Sequence, residues 1–267
     1  MAPSPLAGSS LAASPLAGRH ALVTGGTRGI GRAIAAGLAS SGARVTVLGR
    51  DADMLARVLT AGDAHASAVA DVTDAAALGA AVAEAATRNG PIDLLVANAG
   101  GALSKPFSKT RGDDFAHMLN LNFMGVVNAV QAVLPSMMEA SFGRIVAIAS
   151  TAGLKGYPYV TAYCAAKHAV IGLVRALALE TAGNGITVNA VCPGFTDTDL
   201  VAGSVDRIVA KTGRSREAAL AELTKHNPQG RLVQPSEVAD AVLWLCGDGA
   251  RSVTGQAIAV AGGEVMR

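Results

Sequence analysis

The sequence predicts an α/β fold in which seven parallel strands form one doubly wound sheet with helices on both faces. Three observations carry this prediction. Short apolar runs recur along the chain, helical patterns separate most of them, and a glycine-rich loop joins the first run to the first helix. Strands that alternate with helices are typical of βαβ units, which build parallel sheets. No break in composition marks a second domain, so we expect a single domain over residues 16–267.

Seven runs have the length and apolar character of buried parallel strands. They are HALVT (20–24), RVTVL (44–48), HASAVA (65–70), IDLLVA (92–97), RIVAIAS (144–150), ITVNAV (186–191) and QAIAVA (256–261). Helices are predicted between them, among others at 29–41, 74–88, 114–138 and 163–181. Parallel strands need crossover connections of this kind, so these helices are expected to cover the sheet.

Two segments stand outside this alternation. The sequence SPLAG occurs at 4–8 and again at 14–18, in a stretch rich in Ser, Pro, Gly and Ala that lacks the features of a signal peptide. We expect residues 1–15 to form a disordered tail. Residues 197–230 form a long polar connection with helical pieces of its own. Because ligands bind outside the carboxyl ends of parallel strands, this connection is predicted to be a substrate lid.

The composition argues against several classes of protein. The formal net charge is +2 and no basic stripe is present, so we expect no nucleic-acid partner. No uninterrupted apolar stretch is long enough for a membrane span. The three cysteines and five histidines show no metal-ligand spacing, so no metal site is predicted. The sparse cysteines suit reduced thiols in a cytoplasmic protein.

The loop LVTGGTRGIGRAIA (22–35) follows the first strand and opens the first helix. Gly25, Gly29 and Gly31 have the spacing G-x-x-x-G-x-G, which differs from the common dinucleotide fingerprint G-x-G-x-x-G. The physical logic is the same, because glycines permit a tight turn and let the backbone approach a pyrophosphate at the helix N-terminus. The loop therefore predicts a dinucleotide cofactor.

The end of the second strand, VTVLGRD (45–51), indicates which cofactor binds. Gly49 stands where a ribose-binding acid is expected, and Arg50 follows it. Arg28 in the glycine loop supplies a second cation. Two guanidinium groups favour a 2′-phosphate, so we predict NADP rather than NAD. Asp51 is the opposing observation, since it could neutralise Arg50 or cap the next helix.

Tyr163 and Lys167 lie four positions apart in TAYCAAKHAVIG (161–172). On a helix this spacing places both side chains on one face. A nearby ammonium group is expected to lower the pKa of the phenol and make Tyr163 a usable general acid and base. The alternative is an exposed helical face that happens to carry both residues.

Five motifs occur in an order and spacing that carry a family resemblance. They are TGGTRGIG (24–31), ANAG (97–100), IAS (148–150), YCAAK (163–167) and NAVCPG (189–194). The chain resembles the short-chain dehydrogenases/reductases from about residue 16 to its end. Its long connection before residue 230 and its ending GGEVMR (262–267) are similar to those of 3-hydroxyacyl-CoA and 3-oxoacyl reductase-type members. The resemblance implies a Rossmann-like fold and an NAD(P)-dependent oxidoreductase.

The resemblance also implies a catalytic tetrad. Tyr163 is expected to be the general acid/base, and Lys167 to lower its pKa and hold the nicotinamide ribose. Ser150 is expected to hydrogen-bond the substrate oxygen. Asn122 is expected to hold a water that links Lys167 to solvent. These roles agree with the chemistry, because hydride transfer to a ketone builds negative charge on its oxygen.

The cofactor contacts implied by the resemblance are distributed along the chain. Asp71 and Val72 are expected beside the adenine, Asn98 at the adenosine end, and the segments 193–194 and 196–198 at the nicotinamide carboxamide. Alternatively, Asp71 could cap the next helix, and the Pro-Gly pair could mark a turn. The full predicted set is Gly25, Thr27, Arg28, Gly29, Ile30, Gly31, Arg50, Asp71, Val72, Asn98, Ala99, Gly100, Tyr163, Lys167, Pro193, Gly194, Thr196 and Thr198.

The predicted function is NADP-preferring interconversion of a secondary alcohol and a ketone, with a 3-hydroxyacyl or 3-oxoacyl thioester as substrate. A mild excess of cations over residues 199–232 suits an anionic acyl thioester, although it equally suits a solvated helical face. Small cyclic or aryl ketones are the alternative substrates, and a non-catalytic nucleotide-binding regulator is the alternative class. The resemblance further implies a homotetramer.

Overall fold

A computed structural model describes residues 14–266 of the chain. Within these residues, seven strands form one sheet in which every neighbouring pair is parallel, in the order β3-β2-β1-β4-β5-β6-β7. The strands are β1 (His20–Thr24), β2 (Arg44–Gly49), β3 (Ala66–Val69), β4 (Leu94–Ala97), β5 (Gly143–Ile148), β6 (Ile186–Pro193) and β7 (Ala257–Val260). The predicted strands are confirmed, and their ends differ from the sequence prediction by at most two residues.

Nine α-helices connect the strands of the described part of the chain. They are α1 (Gly29–Ser40), α2 (Ala52–Thr60), α3 (Ala75–Asn89), α4 (Gly112–Leu119), α5 (Gly125–Ala140), α6 (Thr161–Thr181), α7 (Asp199–Thr212), α8 (Arg216–Thr224) and α9 (Pro235–Cys246). One prediction needs correction. The single helix expected over 114–138 is divided, because a π-helical turn at Asn120–Met124 separates α4 from α5.

The helices lie on both faces of the sheet, as predicted. On one face, α1, α2 and α9 bury side chains such as Leu38, Leu55 and Val242 against the strands. On the other face, α3, α5 and α6 bury Leu78, Val133 and Val170, among others. Each face thus has its own apolar core, and burial of this apolar surface is the main force that holds the layers together. The architecture is that of a Rossmann-like doubly wound sheet.

Two helical stretches, Gly112–Ala140 and Thr161–Asn184, are long and apolar enough to cross a membrane by length and composition alone. In this structure both pack on the sheet. Val126 and Val133 of the first stretch and Val170 and Val174 of the second are buried in the same core. Their apolar character is therefore accounted for by packing inside the fold.

The topology locates the site. The chain leaves β1 toward β2 on one side, and it crosses back to β4 on the other side of β1. The register aligns Thr24 at the end of β1 with Ala97 at the end of β4. In open α/β sheets a crevice opens outside the carboxyl ends of the strands at such a switch point, and ligands bind there.

The structure describes all of the predicted lid but only the last two residues of the predicted tail. Between β6 and α9, α7 and α8 pack on each other around Val201, Val205 and Ala219 in a small cluster of their own. The tail was predicted over residues 1–15, and residues 1–13 of it lie outside the described part of the chain. Leu16 is buried, and its backbone N–H donates to the Ser41 carbonyl at 3.0 Å.

Candidate active site

The glycine loop between β1 and α1 closes tightly on the segment that follows β4. Gly25 and Gly29 have positive φ angles of 64° and 51°, a conformation that favours glycine. A side-chain carbon on Gly25 would lie 2.9 Å from the Ala99 Cα, and one on Gly31 would lie 2.2 Å from the Gly25 carbonyl oxygen. These positions therefore admit only glycine. The loop leads directly into the N-terminus of α1. The first backbone N–H groups of a helix have no partner within that helix, and a phosphate binds well at such an end.

Asn98 holds this loop from the side of β4. Its Nδ2 donates to the carbonyl oxygens of Thr24 and Gly25, each at 3.0 Å. In return, the Thr24 hydroxyl oxygen accepts from the backbone N–H groups of Asn98 and Ala99 at 3.0 and 3.1 Å. The side-chain amide of Asn98, predicted as a cofactor contact, is thus engaged with the loop backbone. Sequence reasoning missed Thr24, whose only signal was its place beside the glycines.

The carboxyl end of β2 presents an exposed cation. Asp51 accepts from the Met54 backbone N–H at 3.0 Å and caps α2, so its carboxylate is not paired with Arg50. Arg50 instead lies 3.4 Å from Asp71, and its side chain is 75% exposed. Thr27 stands beside Gly49, where a side-chain carbon would lie 3.3 Å from the threonine methyl.

Asp71 and Val72 follow β3 and face different surroundings. Asp71 accepts from the backbone N–H and hydroxyl of Thr73 at 2.9 and 2.8 Å. These hydrogen bonds, with a smaller contribution from Arg50, lower the pKa of the Asp71 carboxyl. Asp71 does not cap the next helix, because Asp74 caps α3. Val72 is buried and packs where Gly125 leaves room for it.

Ser150, Tyr163 and Lys167 meet at the carboxyl end of β5. Ser150 follows the strand, and its Oγ accepts from the Ala152 backbone N–H at 3.1 Å. Its hydroxyl also hydrogen-bonds the phenol of Tyr163, which projects from the first turn of α6. Lys167 lies one turn further, with its Nζ 5.7 Å from the centre of the Tyr163 ring. Two hydroxyls and one ammonium therefore converge on one point.

The pKa values of this group differ from the sequence prediction. Burial raises the pKa of Tyr163 to about 12, and the hydrogen bond with Ser150 opposes that rise only in part. Burial also lowers the pKa of Lys167 to about 8. The prediction that the phenol pKa lies below its ordinary value is therefore wrong for this structure. The physical reason is that desolvation disfavours both charged forms, and the Lys167 Nζ donates to the Ile148 carbonyl at 2.8 Å.

Asn122 reaches the same region from the π-helical turn between α4 and α5. Its Nδ2 donates to the carbonyl oxygens of Gly101 and Met118 at 3.0 and 3.1 Å, and its Oδ1 accepts from the Gly101 N–H at 3.1 Å. A side-chain carbon on Gly100 would lie 2.7 Å from the Asn122 Oδ1 and 3.7 Å from the Lys167 Nζ. Gly100 therefore separates Asn122 from Lys167 by a narrow gap.

The turn after β6 folds back toward the glycine loop. The Gly194 N–H donates to the Val260 carbonyl at 3.0 Å, and the Thr196 hydroxyl donates to the Gly194 carbonyl at 3.0 Å. Thr198 precedes α7, and a side-chain carbon on Gly29 would lie 3.1 Å from its methyl group. The structure thus brings together the predicted residues from the ends of β1, β4, β5 and β6 at the carboxyl edge of the sheet.

A family model described as short chain dehydrogenase matches residues 19–226. The chain belongs to the short-chain dehydrogenase/reductase family. This membership confirms the resemblance drawn from the five motifs. Together with the relatives described next, it also establishes the general chemistry: the chain is an oxidoreductase that acts on CH–OH and C=O groups.

Three similar proteins illustrate the relationship. A Streptomyces coelicolor protein that carries the name of a ketoacyl reductase is 41% identical over 249 residues, which cover 91% of this chain and 95% of that protein. The acetoacetyl-CoA reductase of Shinella zoogloeoides is 37% identical, with coverage of 92% and 98%. A crystal structure of a variant actinorhodin polyketide ketoreductase with NADPH is 40% identical, with a TM-score of 0.87 and coverage of 92% and 97%.

The segment predicted as a lid carries charges that are largely balanced. Arg216 pairs with Asp206, and Lys225 pairs with Glu222. Arg231, the residue after the predicted lid, makes two hydrogen bonds to Glu237 at 2.6 and 2.7 Å, which lower the pKa of that carboxyl to about 2. The cation excess noted in the sequence is therefore smaller in effect than the count of residues suggests.

Proposed function

We propose that this chain is an NADP-preferring reductase of 3-oxoacyl thioesters that uses Tyr163 as its general acid. The observation that carries the proposal is the convergence of the Ser150 and Tyr163 hydroxyls, which hydrogen-bond each other, with Lys167 one helical turn away. A carbonyl oxygen seated between the two hydroxyls would receive two hydrogen bonds as its negative charge develops. A regulator that binds nucleotide without turnover has no need of this arrangement.

Each member of the tetrad then has a role in moving one proton. Tyr163 holds its proton at neutral pH, because burial keeps the pKa of the phenol at about 12, and it donates that proton to the developing alkoxide. Ser150 orients the carbonyl. Lys167 stabilises the resulting phenolate by its charge and then gives it the proton that restores the phenol. Asn122, fixed by the backbone of Gly101 and Met118, stands on the path by which Lys167 is reprotonated.

The residues around the crevice suit a dinucleotide phosphate cofactor, which supplies the hydride when bound. The glycine cradle admits no side chain at Gly25 or Gly31 and exposes the N-terminus of α1. Arg50 and Arg28 are exposed beside it. Because Asp51 is engaged as a helix cap, a 2′-phosphate would meet guanidinium groups without an opposing free carboxylate from that residue. This donor set supports NADP over NAD.

The remaining predicted contacts are proposed along the length of the crevice. Thr27, Gly29 and Ile30 belong to the phosphate end, with Asp71 and Val72 at the adenine end. Asn98 belongs to the adenosine end, and Ala99 and Gly100 would line the middle of the crevice. Pro193, Gly194, Thr196 and Thr198 would hold the nicotinamide end. The turn after β6 supports this last assignment, because it folds toward the glycine loop.

The thioester substrate is the finer part of the proposal. It is supported by relatives named for acetoacetyl-CoA reduction and for ketoacyl reduction. The NADPH in the ketoreductase complex likewise supports the cofactor preference. Small cyclic or aryl ketones remain the second candidate substrate class, since the tetrad acts on the carbonyl alone.

The test is the initial rate of reduced-cofactor consumption with acetoacetyl-CoA, measured in parallel with NADPH and NADH. We expect a fast rate with NADPH and a slower one with NADH. A fast rate with NADH alone would keep the chemistry and overturn the cofactor preference. If acetoacetyl-CoA gives no rate while a cyclic or aryl ketone does, the thioester assignment is wrong.

We further propose a cytoplasmic homotetramer. Exposed apolar side chains near the edge strand β7 support association: Leu179 is 85% exposed, Trp244 50% and Met266 83%. All three side chains line one surface cavity beside β7, and exposed apolar surface of this kind is typical of an interface between protein chains. Sedimentation of the purified protein at the mass of one chain would contradict this assembly.

A further inference from the structure

The C-terminal segment carries a buried carboxylate that the proposed proton transfer does not use. Glu264 follows β7 in the sequence GGEVMR (262–267), and its side chain is 1% exposed. Its Oε1 accepts from the Tyr157 hydroxyl at 2.6 Å and lies 3.0 Å from the Lys155 Nζ. A carboxylate this deeply buried is costly unless it is paired, so its partners indicate its role.

Those partners lie on the segment that joins Ser150 to Tyr163. The Tyr157 hydroxyl is also 2.7 Å from the Thr151 Oγ1. A phenol has one proton and a carboxylate only accepts, so Tyr157 donates to Glu264 and accepts from the Thr151 hydroxyl. Thr151 is the residue next to Ser150 in the chain. A hydrogen-bonded chain with a fixed direction therefore runs from the neighbour of Ser150 to Glu264.

Glu264 also contacts the turn after β6. A side-chain carbon on Gly194 would lie 3.1 Å from its Oε2. The ring of Tyr157 meets Phe195 edge-on, with ring centres 6.0 Å apart. Phe195 in turn packs on the apolar cluster of the lid. The carboxylate and its tyrosine partner are thus in contact with both walls of the crevice.

The two glycines that precede Glu264 pack against the C-terminal end of the predicted lid. Gly262 and Gly263 have φ angles of 59° and 91°, so the chain makes a left-handed turn just before the carboxylate. A side-chain carbon on Gly262 would lie 2.0 Å from the Oδ1 of Asn227, a buried residue at the end of the lid. This close contact leaves Glu264 little freedom to move.

We infer that Glu264 is a positioning residue for Ser150. Through Tyr157 and Thr151, it holds the Ser150 segment at a set distance from the turn at Gly194, where the nicotinamide end of the cofactor is proposed to bind. The inference rests on the proposed function, because Ser150 matters only if it orients a carbonyl. Lys155, whose side chain is 34% exposed, balances the buried charge.

The experiment compares E264Q and Y157F with the wild-type enzyme. E264Q keeps the shape of the side chain but removes the charge, and Y157F keeps the ring but removes the hydroxyl. We expect kcat for ketone reduction to fall about tenfold in each, as when one charge-assisted hydrogen bond is weakened, with an unchanged KM for NADPH. The double variant is expected to fall no further than Y157F, because both changes break one chain.

The matched control is E84Q, which removes a carboxylate that pairs with Arg88 on the exposed face of α3. A second readout does not depend on turnover. Amide hydrogen exchange over residues 150–157 is expected to be faster in E264Q and Y157F than in the wild type, and unchanged in E84Q. A role in stability alone would lower the melting temperature without this local change in exchange.

Unchanged exchange over 150–157 in both variants would overturn the inference, and so would an unchanged kcat in an enzyme that turns over. Additive losses in the double variant would also overturn it, because they would show two independent effects. If the wild type reduces no ketone with either cofactor, the proposed function fails. The exchange measurement then decides the positioning role alone.

Discussion

The Nζ of Lys167 lies 5.7 Å from the centre of the Tyr163 ring and donates its hydrogen bond to the Ile148 carbonyl at 2.8 Å. The two residues share one face of α6, as their spacing requires. The lysine is nevertheless turned toward the end of β5. The direct hydrogen bond of the phenol is with Ser150.

Replacement of Tyr163 by phenylalanine is expected to abolish turnover while leaving the fold and cofactor affinity intact. Loss of a general acid costs about 10²–10⁴-fold in rate. The measurement is kcat for ketone reduction, with NADPH binding followed by the fluorescence of the reduced cofactor. Tyr159→Phe, which removes a hydroxyl from a side chain that is 61% exposed, is the comparison. Full turnover by Y163F would show that another group supplies the proton.

The rate of ketone reduction is expected to fall as the pH rises through about 8. Burial lowers the pKa of Lys167 to about 8, so its ammonium is present below that pH and lost above it. Tyr163 keeps its proton over the same range, because its pKa is raised to about 12. The dependence of kcat/KM on pH reports the pKa of the free enzyme.

The control for this pH profile is Lys167→Arg. A guanidinium stays charged throughout the range, so whatever activity K167R retains should not decline above pH 8. If K167R shows the same decline as the wild type, the titrating group is not Lys167.

Arg50→Ala is expected to raise the KM for NADPH about tenfold and to leave the KM for NADH nearly unchanged, because a charge-assisted hydrogen bond to the 2′-phosphate is lost. Arg88→Ala removes an equally charged side chain from the exposed face of α3 and should change neither constant. Equal increases in the KM for NADPH and for NADH in R50A would show that Arg50 does not bind the 2′-phosphate.

Two glycine-to-alanine substitutions are expected to have opposite effects on stability. At Gly31 the new carbon would lie 2.2 Å from the Gly25 carbonyl oxygen, so G31A should lose about 1–3 kcal/mol and bind NADPH poorly. At Gly79, inside α3, a side-chain carbon would have no described atom within 4 Å apart from the adjacent residues and backbone of its own helix, so G79A should gain about 0.5–1 kcal/mol. Urea denaturation of both variants measures the difference. A stable, cofactor-binding G31A would contradict the close approach in the glycine loop.

Stability is expected to decline as the pH falls below 6.5, in part through His20. The imidazole is buried between the Gly90 carbonyl, at 2.7 Å, and the Thr46 hydroxyl, at 2.8 Å. Burial lowers its pKa in the folded state, whereas the unfolded chain titrates near 6.5. Only the unfolded chain gains a proton just below pH 6.5, so folding loses free energy there. Denaturation midpoints at pH 7.5 and 5.5 should differ less in H20Q than in the wild type.

Much of this site could be predicted from the sequence because its motifs are local. The spacing of Gly25, Gly29 and Gly31 predicted a tight turn within one loop. The spacing of Tyr163 and Lys167 predicted that both side chains lie on one face of a helix. The strands were predicted for the same reason, since a run of apolar residues is buried wherever the sheet places it. The family followed from the order of five such motifs.

Other features depended on residues that are distant in the sequence. The sequence predicted that Asn122 lies within one continuous helix. In the structure it lies in a π-helical turn and donates a hydrogen bond to the Gly101 carbonyl. Asn98 was predicted only as a cofactor contact, and the structure shows in addition that its amide holds the backbone of the glycine loop.

The chain by itself therefore determined the strands, the glycine loop, the order of the tetrad and the family. The tertiary structure decided the protonation states and the partners of the buried polar groups. Tyr163 has a raised pKa because of what surrounds it, and Tyr157 and Glu264 meet across 107 positions of sequence. Desolvation and long-range hydrogen bonds arise only once the layers have packed, so no local pattern of residues can encode them.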